Sequence, residues 1–280
     1  PDTLLLDVDS VSARITPRTR AVVAVDYAGQ PCDYDRLRIL ANRHGIALVA
    51  DACHSLGAVY HGRPVGSLTD LSIFSLHPVK HVTSGEGGVV TTDDPLMVRR
   101  LEMFRNHGMS ADHAARDRAD SWYYEIRELG YNYRLSDFQC ALAMSQLSRL
   151  DGQLSRRGEI ARAYDRAFAG LDGIRYLATR PDCRHAYHLY VVRVDLERFR
   201  DGRRRVFQAL RAEGIGVNVH YIPVHLHPLY RSRFGTGPGL CPVAETAYEE
   251  IITLPMFPAM TDRDVQDVID AVVKVHKAYK

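Results

Sequence analysis

Two short apolar segments of strand type flank a helical pattern near the start of the chain. This arrangement limits the possible folds more than any other feature. The first segment is Ala21–Tyr27 and the second is Ile46–Ala50, and between them Asp33 can cap a helix that ends near Gly45. Strand, helix and strand at this spacing form a βαβ unit, which requires a parallel sheet covered on both faces. The sequence therefore predicts an α/β fold.

The rest of the chain keeps alternating between strand and helix patterns, with a change of unit near Leu150. We predict a large domain over residues 1–150 and a small C-terminal α/β domain over residues 151–280. One of the predicted helices, Ser136–Leu150, is strongly amphipathic, with Phe138 and Leu142 among its apolar residues. The further predicted elements are the strands Leu71–Leu76, Gly88–Thr92, Tyr187–Val194 and Val217–His220, and the helices Pro95–Arg105, Arg203–Glu213 and Asp262–Tyr279.

Charge and cysteine usage exclude several classes of protein. The formal net charge is only +2, so no global field favours nucleic acid or an anionic membrane as a partner. The five cysteines form no CxxC pair and their number is odd, which favours a reduced cytoplasmic protein over a disulfide framework or a zinc site. We expect no signal peptide and no transmembrane helix, because no apolar run approaches the length of a membrane span.

Asp51 stands where the second predicted strand ends. Open parallel sheets bind their ligands at the carboxyl ends of the strands. A carboxylate at that position is well placed to receive a cationic ring nitrogen. The alternative is that Asp51 caps a helix that begins at Ala52.

A lysine and a glycine-rich turn follow the next predicted strand. The segment reads FSLHPVKHVTSGEGG over residues 74–88, with Ser75 at the strand end and Lys80 in the turn. Glycines allow close approach of the backbone to a ligand, and the serine hydroxyl can hold a phosphate. A deprotonatable lysine in such a turn suits Schiff-base chemistry. The alternative is a surface β-hairpin in which Lys80 is incidental.

Three segments together resemble one enzyme family. SLHPVKHVTSGEGG resembles the pyridoxal-phosphate lysine motif of the DegT/DnrJ/EryC1/StrS sugar aminotransferases. The upstream DACHSLGAVYHGRPVGS resembles that family's aspartate motif, and GYNYRLSDFQCALAMSQL resembles its third signature, in the same order and spacing. The resemblance implies the type I aminotransferase fold, dependent on pyridoxal 5'-phosphate (PLP), with a mostly parallel central sheet in the large domain.

The resemblance also implies roles for residues around the cofactor. Lys80 matches the lysine that forms a Schiff base with PLP, and Asp51 matches the partner of the pyridinium nitrogen. His54 matches a position beside the cofactor ring, and Ser75 matches a serine that binds the phosphate. Asn132 matches an asparagine that reaches the phosphate of the neighbouring subunit's cofactor, which implies a homodimer with shared active sites.

Residues on the substrate side are less specific. Arg134 matches a substrate-side position, while His77 could face the substrate or support the lysine loop. The segments HAYHLY (185–190) and VHYIPVHLHP (219–228) contribute His188, His220 and Tyr221. These segments either line a polar sugar or nucleotide pocket or pack as ordinary core. Their spacing, with no accompanying Cys or acidic ligand, is a poor zinc signature, so we predict no metal.

The resemblance narrows further to the pseudaminic-acid branch through WYYE (122–125) and HYIPVHLHP (220–228). That branch transfers an amino group from glutamate to C4 of a UDP-linked 2-acetamido-2,6-dideoxy-4-keto-hexose. The alternatives are a dTDP- or GDP-linked acceptor, or a truncated, non-catalytic PLP-fold partner subunit. A lysine at position 80, where related dehydratases carry a histidine, favours transamination.

The beginning of the chain departs from the family pattern. Family members carry a stretch ahead of the position of Pro1 that supplies further phosphate ligands and an aromatic residue near the cofactor ring. We therefore expect the N-terminal part of the large domain to be absent from these 280 residues.

Overall fold

The computed structural model describes residues 1–110, 113–199 and 202–280. Within these ranges no helix combines the length and the apolar character needed to cross a membrane. In chain order, the helices and strands are α1 (Val8–Arg14), β1 (Ala21–Val25), α2 (Tyr34–His44), β2 (Ala47–Asp51), β3 (Val59–Tyr60), β4 (Arg63–Pro64), β5 (Leu71–Ser75), β6 (Gly88–Thr91), α3 (Pro95–Arg105), α4 (His113–Arg118), α5 (Asp137–Leu147), α6 (Leu150–Phe168), β7 (Ile174–Tyr176), β8 (Cys183–Arg184), β9 (Tyr190–Val194), α7 (Gly202–Ala212), α8 (Pro228–Phe234), α9 (Pro242–Glu250), β10 (Ile251–Leu254) and α10 (Asp262–Tyr279).

The central sheet has the strand order β1-β2-β5-β6. β1 pairs with β2, and β2 with β5, in parallel, whereas β6 runs antiparallel to β5. The sheet is therefore mostly parallel, as predicted. Its register places Val25 beside Asp51 and Asp51 beside Ile73, so the carboxyl ends of β1, β2 and β5 meet at one edge.

Helix α2, which crosses from β1 to β2, begins and ends where the sequence predicts. The Asp33 side chain accepts a hydrogen bond from the Arg36 amide at the N-cap. Gly45 closes the helix at φ 61, the left-handed conformation that glycine adopts at no steric cost. Leu37 and Leu40 are buried in one cluster with Ala24 of β1, so the helix covers one face of the sheet.

The second half of the chain forms a separate, all-antiparallel sheet in the order β10-β9-β7. Its core joins residues of α6, α7 and α10, including Tyr164, Leu210 and Val268. Helix α10 starts with a capping box in which Thr261 and Asp264 bond each other's backbone amides. The division of the chain into residues 1–150 and 151–280 stays a prediction, although two separate hydrophobic cores accompany it.

Two of the predicted strands differ from the structure. Val217–His220 makes only an isolated bridge, between Asn218 and Thr253, so no strand forms there. The predicted strand Tyr187–Val194 begins only at Tyr190, because Tyr187 has φ 49 and leaves the extended conformation.

The amphipathic helix predicted over Ser136–Leu150 is also different. It is shorter, ending at Leu147, and none of its residues is buried. Phe138 is 89% exposed and Met144 is 72% exposed. Ala143 packs against the cluster of Leu76, Val82 and Leu150, but Phe138 and Met144 are left uncovered by the described residues of this chain.

Gly29 lies where three backbone segments converge at the edge of the sheet. It has φ +106, and a Cβ there would lie 2.8 Å from the His54 carbonyl oxygen and 2.9 Å from the amides of Tyr187 and His188. Only a residue without a side chain permits this approach. Gly29 thus allows the 186–189 segment to lie against the sheet edge.

We predict that Gly29→Ala lowers the free energy of unfolding by about 2–4 kcal/mol, because the methyl group must displace backbone and φ is unfavourable. Gly152→Ala is the matched control, since Gly152 lies in α6 and a Cβ there meets nothing within 4 Å. That control should leave stability unchanged or raise it by up to about 1 kcal/mol. Urea unfolding measures both, and equal stabilities of the two variants would contradict the prediction.

Candidate active site

Asp51 is the last residue of β2 and is half-buried at the carboxyl edge of the sheet. Its carboxylate accepts a hydrogen bond from the Cys53 amide at 3.2 Å. No helix follows it among the described residues, so Asp51 is not a helix N-cap, although this hydrogen bond caps the turn that follows. The carboxylate keeps acceptor capacity for a ligand, because this turn uses only one of its oxygens.

Lys80 lies in the connection between β5 and β6, which pair as an antiparallel hairpin. The connection folds back on itself, since the Leu76 carbonyl accepts from the Ser84 amide at 3.0 Å and from the Thr83 hydroxyl at 3.0 Å. Leu76 and Val82 pack in a buried cluster. The strands on either side of Lys80 therefore do form a hairpin, as the alternative prediction had it. Lys80 itself is half-buried, however, and does not lie on an open surface.

The amine of Lys80 is electrostatically unusual. Burial lowers its pKa, while the neighbouring Cys53 thiol and Asp51 carboxylate act in the opposite direction. A lowered pKa increases the fraction of neutral amine, the form that reacts with a carbonyl group. The chain has only three other lysines, and all of them are exposed on or just after α10: Lys274, Lys277 and Lys280.

A cavity of about 620 Å³ opens beside Lys80, between the lysine turn, α5, α6 and the second half of the chain. It brings together Lys80 and three residues that the sequence proposed for the substrate side: His188, His220 and Tyr221. Its lining carries a buried arginine, Arg157, but no Asp or Glu. The cavity is therefore suited to an anionic ligand.

Three buried imidazoles, here called the histidine stack, lie behind Lys80: His54, His81 and His188. The His188 ring centroid is 4.3 Å from that of His54 and 5.3 Å from that of His81. The Nδ1 atoms of all three rings are buried and lack a hydrogen-bond partner among the described residues. Burial lowers the pKa of His54 to about 4 and that of His81 to about 3, and it also lowers the pKa of His188.

His220 and Tyr221 form the opposite wall of the cavity. The Tyr27 hydroxyl donates to the His220 carbonyl, and His220 Nδ1 lies 2.9 Å from the Thr253 hydroxyl. Burial, and then the charge of Lys80, lower the pKa of His220. Tyr221 is 56% exposed, so its ring is available to a ligand in the cavity.

The structure places Ser75 and His77 outside the cavity lining. Ser75 ends β5, and its hydroxyl accepts from the His77 amide at 3.2 Å. The His77 ring is exposed and lies 3.8 Å from a carboxylate oxygen of Glu86. A substrate contact by His77 stays a prediction, and its carbonyl, which accepts from the Lys80 amide at 3.0 Å, supports the lysine turn.

Asn132 and Arg134 also lie away from the cavity within one chain. Both are exposed, Asn132 forms a backbone bridge with Asn106, and Arg134 donates to the Asn106 side chain. Their segment packs closely on a neighbouring loop, because a Cβ at Gly130 would lie 2.1 Å from the Gly108 amide. The structure thus does not bring Asn132 to Lys80 of its own chain.

One residue of the sheet edge escaped the sequence analysis. Asp26 follows β1 and is fully buried, accepting from Ser55 Oγ at 2.6 Å, Tyr34 Oη at 2.6 Å and the Cys32 amide at 2.9 Å. Burial raises its pKa to about 6 against these hydrogen bonds. Asp26 ties the start of α2 to the loop that carries His54. Its position after a strand, the signal that singled out Asp51, could have found it.

Among the residues that the structure describes, no group of three or more His, Cys, Asp or Glu could hold a metal ion. The site offers an amine, a carboxylate and imidazoles. A mostly parallel sheet with a lysine and a carboxylate at its carboxyl edge, joined to an antiparallel lobe, is compatible with the class of PLP-dependent aminotransferases.

Comparison with known proteins agrees with this class. The sequence model of the DegT/DnrJ/EryC1/StrS aminotransferase family matches residues 1–273. The spore coat polysaccharide biosynthesis protein SpsC of Bacillus subtilis is 41% identical over 280 residues, covering 99% of this chain and 72% of SpsC. The chain belongs to the DegT/DnrJ/EryC1/StrS aminotransferase family.

Solved structures give the same result. The Helicobacter pylori aminotransferase PseC, involved in the biosynthesis of pseudoaminic acid, has a TM-score of 0.92 at 30% identity, covering 100% of this chain and 72% of PseC. The PLP form of the putative sugar aminotransferase Spr1654 from Streptococcus pneumoniae has a TM-score of 0.89 at 31% identity, covering 99% of this chain and 73% of Spr1654.

The residues at the sheet edge fit PLP, the cofactor of this family. Lys80 offers a half-buried amine, and Asp51 offers a carboxylate with free acceptor capacity. His54 Nδ1 is buried and unpartnered, as expected of a ring that faces a bound group. These groups come from neighbouring strand ends, where parallel sheets bind their ligands.

The neutral histidine stack predicts a pH-dependent stability. The folded protein keeps His81 neutral down to about pH 3, whereas the unfolded chain protonates it below 6.5. Stability from this residue is therefore present above the unfolded pKa and is lost as the pH falls below it. Between about pH 7.5 and about pH 5, His81 should contribute a loss of about 2 kcal/mol.

Urea unfolding at the two pH values tests this for His81→Gln, which should lose less stability on acidification than the wild type. His227→Gln is the control, because His227 is exposed. An acid-induced loss in His81→Gln as large as in the wild type would contradict the assignment.

Proposed function

We propose that this protein transfers an amino group from glutamate to C4 of a UDP-linked 2-acetamido-2,6-dideoxy-4-keto-hexose, in pseudaminic-acid biosynthesis. The observation that carries the proposal is the half-buried Lys80 amine, with its lowered pKa, on the wall of a cavity without acidic side chains. Glutamate and a sugar diphosphate are both anionic, so the lining favours them. The family and the similarity to PseC support the sugar branch.

Four residues of this chain have distinct roles at the reacting centre. Bound PLP supplies an electron sink for the bond that breaks at the donor carbon. Lys80 would hold the cofactor, and its free Nζ would take the α-proton of glutamate and deliver a proton to C4 of the sugar. Asp51 would pair with the ring nitrogen, Ser75 would bind the phosphate, and His54 would lie beside the ring.

Substrate contacts come from the walls of the cavity. His188, His220 and Tyr221 line it and can bond or stack on the sugar and its nucleotide. We assign His77 and Arg134 to the substrate side on the family resemblance alone, because neither lines the cavity within one chain.

A homodimer with shared sites explains the exposed apolar surface near the third family signature. Trp122 is 85% exposed, Leu129 is 76% exposed and Phe138 is 89% exposed. Patches of this kind on a folded chain mark interaction sites. A second copy docked there would cover α5 and could carry Asn132 to the neighbouring chain's cofactor. The five free cysteines support a reducing, cytoplasmic location.

An amino-transfer assay tests the proposed reaction. With ¹⁵N-labelled glutamate and a UDP-linked 4-keto-6-deoxy sugar, mass spectrometry should detect labelled amino sugar. Lys80→Ala should lower the rate by at least about 10³-fold, because the general acid–base group is lost. Lys277→Ala, at an exposed lysine of α10, should turn over like the wild type.

The acceptor panel separates the alternatives. Turnover with only dTDP- or GDP-linked keto sugars would overturn the UDP assignment and leave amino transfer intact. Absence of turnover with every acceptor, in a chain that binds PLP, would favour the non-catalytic partner subunit.

Mixed dimers test the sharing of sites. Asn132→Ala and Lys80→Ala homodimers should each be impaired, since each loses one cofactor contact. In a mixed dimer, the pocket with an intact Lys80 can borrow Asn132 from the Lys80→Ala chain. Dissociating and reassociating the two variants together should therefore restore activity above that of either alone. Failure to do so would place Asn132 in its own subunit's site, or outside the site.

A further inference from the structure

Arg157 is a buried arginine in the middle of α6, and no carboxylate of the described residues forms an ion pair with it. It is 5% exposed, and its Nη1 donates to the carbonyl oxygens of Tyr187 at 3.0 Å, His188 at 3.3 Å and Met256 at 3.1 Å. Its Nε is buried without a partner among the described residues. Burial alone accounts for its lowered pKa of about 10, so it stays charged at neutral pH.

The neighbouring Arg156 shows how the charge of an arginine is usually balanced, namely by nearby carboxylates. Arg156 is partly exposed and pairs with Glu159 at 3.2 Å and with Asp262 at 2.8 Å. A buried charge without such a partner costs folding free energy, because water no longer solvates it. Three carbonyl dipoles offset only part of that cost. The position of Arg157 therefore calls for a role beyond stability.

The segment that Arg157 holds is the one that carries His188. Tyr187 has φ 49, a conformation that is unfavourable for a residue with a side chain. The guanidinium bonds the carbonyls of this residue and the next, while His81 Nε2 lies 3.0 Å from the Ala186 carbonyl. Together with the close approach of Gly29, these contacts press His188 against His54.

The same guanidinium lies in the cavity lining together with His81 and His188. Burial is the largest cause of the lowered pKa of both histidines, and the charge of Arg157 comes next for His81 and last for His188. His54 feels Lys80 and His220, with Asp51 opposing them. A proton on any of the three rings would add a positive charge among others already present, so the neutral stack is favoured.

We propose that Arg157 is a positioning residue that holds His188 against His54 and sets a positive charge beside the His81 and His188 rings. The consequence rests on the proposed function. With three neutral imidazoles, Lys80 is the group of this cluster that exchanges a proton near neutral pH, and the stack gives the cofactor side an uncharged wall.

Titration of the histidines by NMR tests this on the full chain without cofactor or substrate. With ¹⁵N-labelled imidazoles, the wild type should keep His81 and His188 neutral down to about pH 5, with His81 protonated on Nε2. Arg157→Gln removes the charge and should raise the His81 midpoint, and the His188 midpoint by less. Arg157→Lys keeps a charge without the three-carbonyl clamp and should shift them by less than half as much.

Arg156→Gln is the matched control on the same helix and should leave the histidine titrations unchanged. Contacts between the His54 and His188 rings should weaken in both Arg157 variants and persist in this control. Identical titrations of Arg157→Gln and the wild type would overturn the proposal. If Arg157→Gln does not fold, Arg157→Lys carries the test, and His54–His188 ring contacts as strong as those of the wild type would overturn the proposal.

These measurements are independent of the amino-transfer assay. If the histidine titrations depend on Arg157 but the chain transfers no amino group, the proposed function is wrong and the role of Arg157 is still supported.

Discussion

The parallel pairing of β1, β2 and β5 is the constraint on which the rest of the structure depends. Parallel strands end at the same edge of a sheet, so residues that follow different strands in the sequence lie close together there. Here the edge collects Asp26, Asp51 and Ser75. The lysine turn leaves from the same edge, and this brings the amine of Lys80 close enough to the Asp51 carboxylate for Asp51 to act on its pKa.

Helix α6 transmits this arrangement to the second half of the chain. Leu150, at its start, packs with Leu76 and Val82 under the lysine turn, whereas Ile160 and Tyr164 lie in the other core. Arg157, between them, bonds the carbonyls on the far wall of the cavity. Helix α6 therefore contacts both cores and lines the cavity between them.

The sequence predicted correctly those elements whose ends are determined by residues adjacent to them in the chain. Helix α2 carries its own N-cap and its glycine terminus, and Pro95 opens α3 where the pattern places it. The glycine-rich turn around Lys80 could likewise be predicted, because the residues that form it are adjacent in the sequence. Arg157 was not, because its carbonyl partners lie 30, 31 and 99 residues away.

The incorrect expectations have similar causes. Val217–His220 has the composition of a strand, but among the described residues it pairs with the sheet only through a single bridge at Asn218. The apolar face of α5 predicted burial, yet Phe138 and Met144 are exposed because nothing described in this chain covers them. A pattern in sequence identifies an apolar surface, but it does not say whether the partner belongs to the same chain.

The central claim, that Lys80 is the residue that holds the cofactor, is tested most directly by trapping. The protein is incubated with PLP, reduced with borohydride and digested, and the modified peptide is identified by mass spectrometry. The account predicts a pyridoxyl group on the peptide that contains Lys80. Modification confined to the exposed Lys274, Lys277 or Lys280, with Lys80 unmodified, would contradict it.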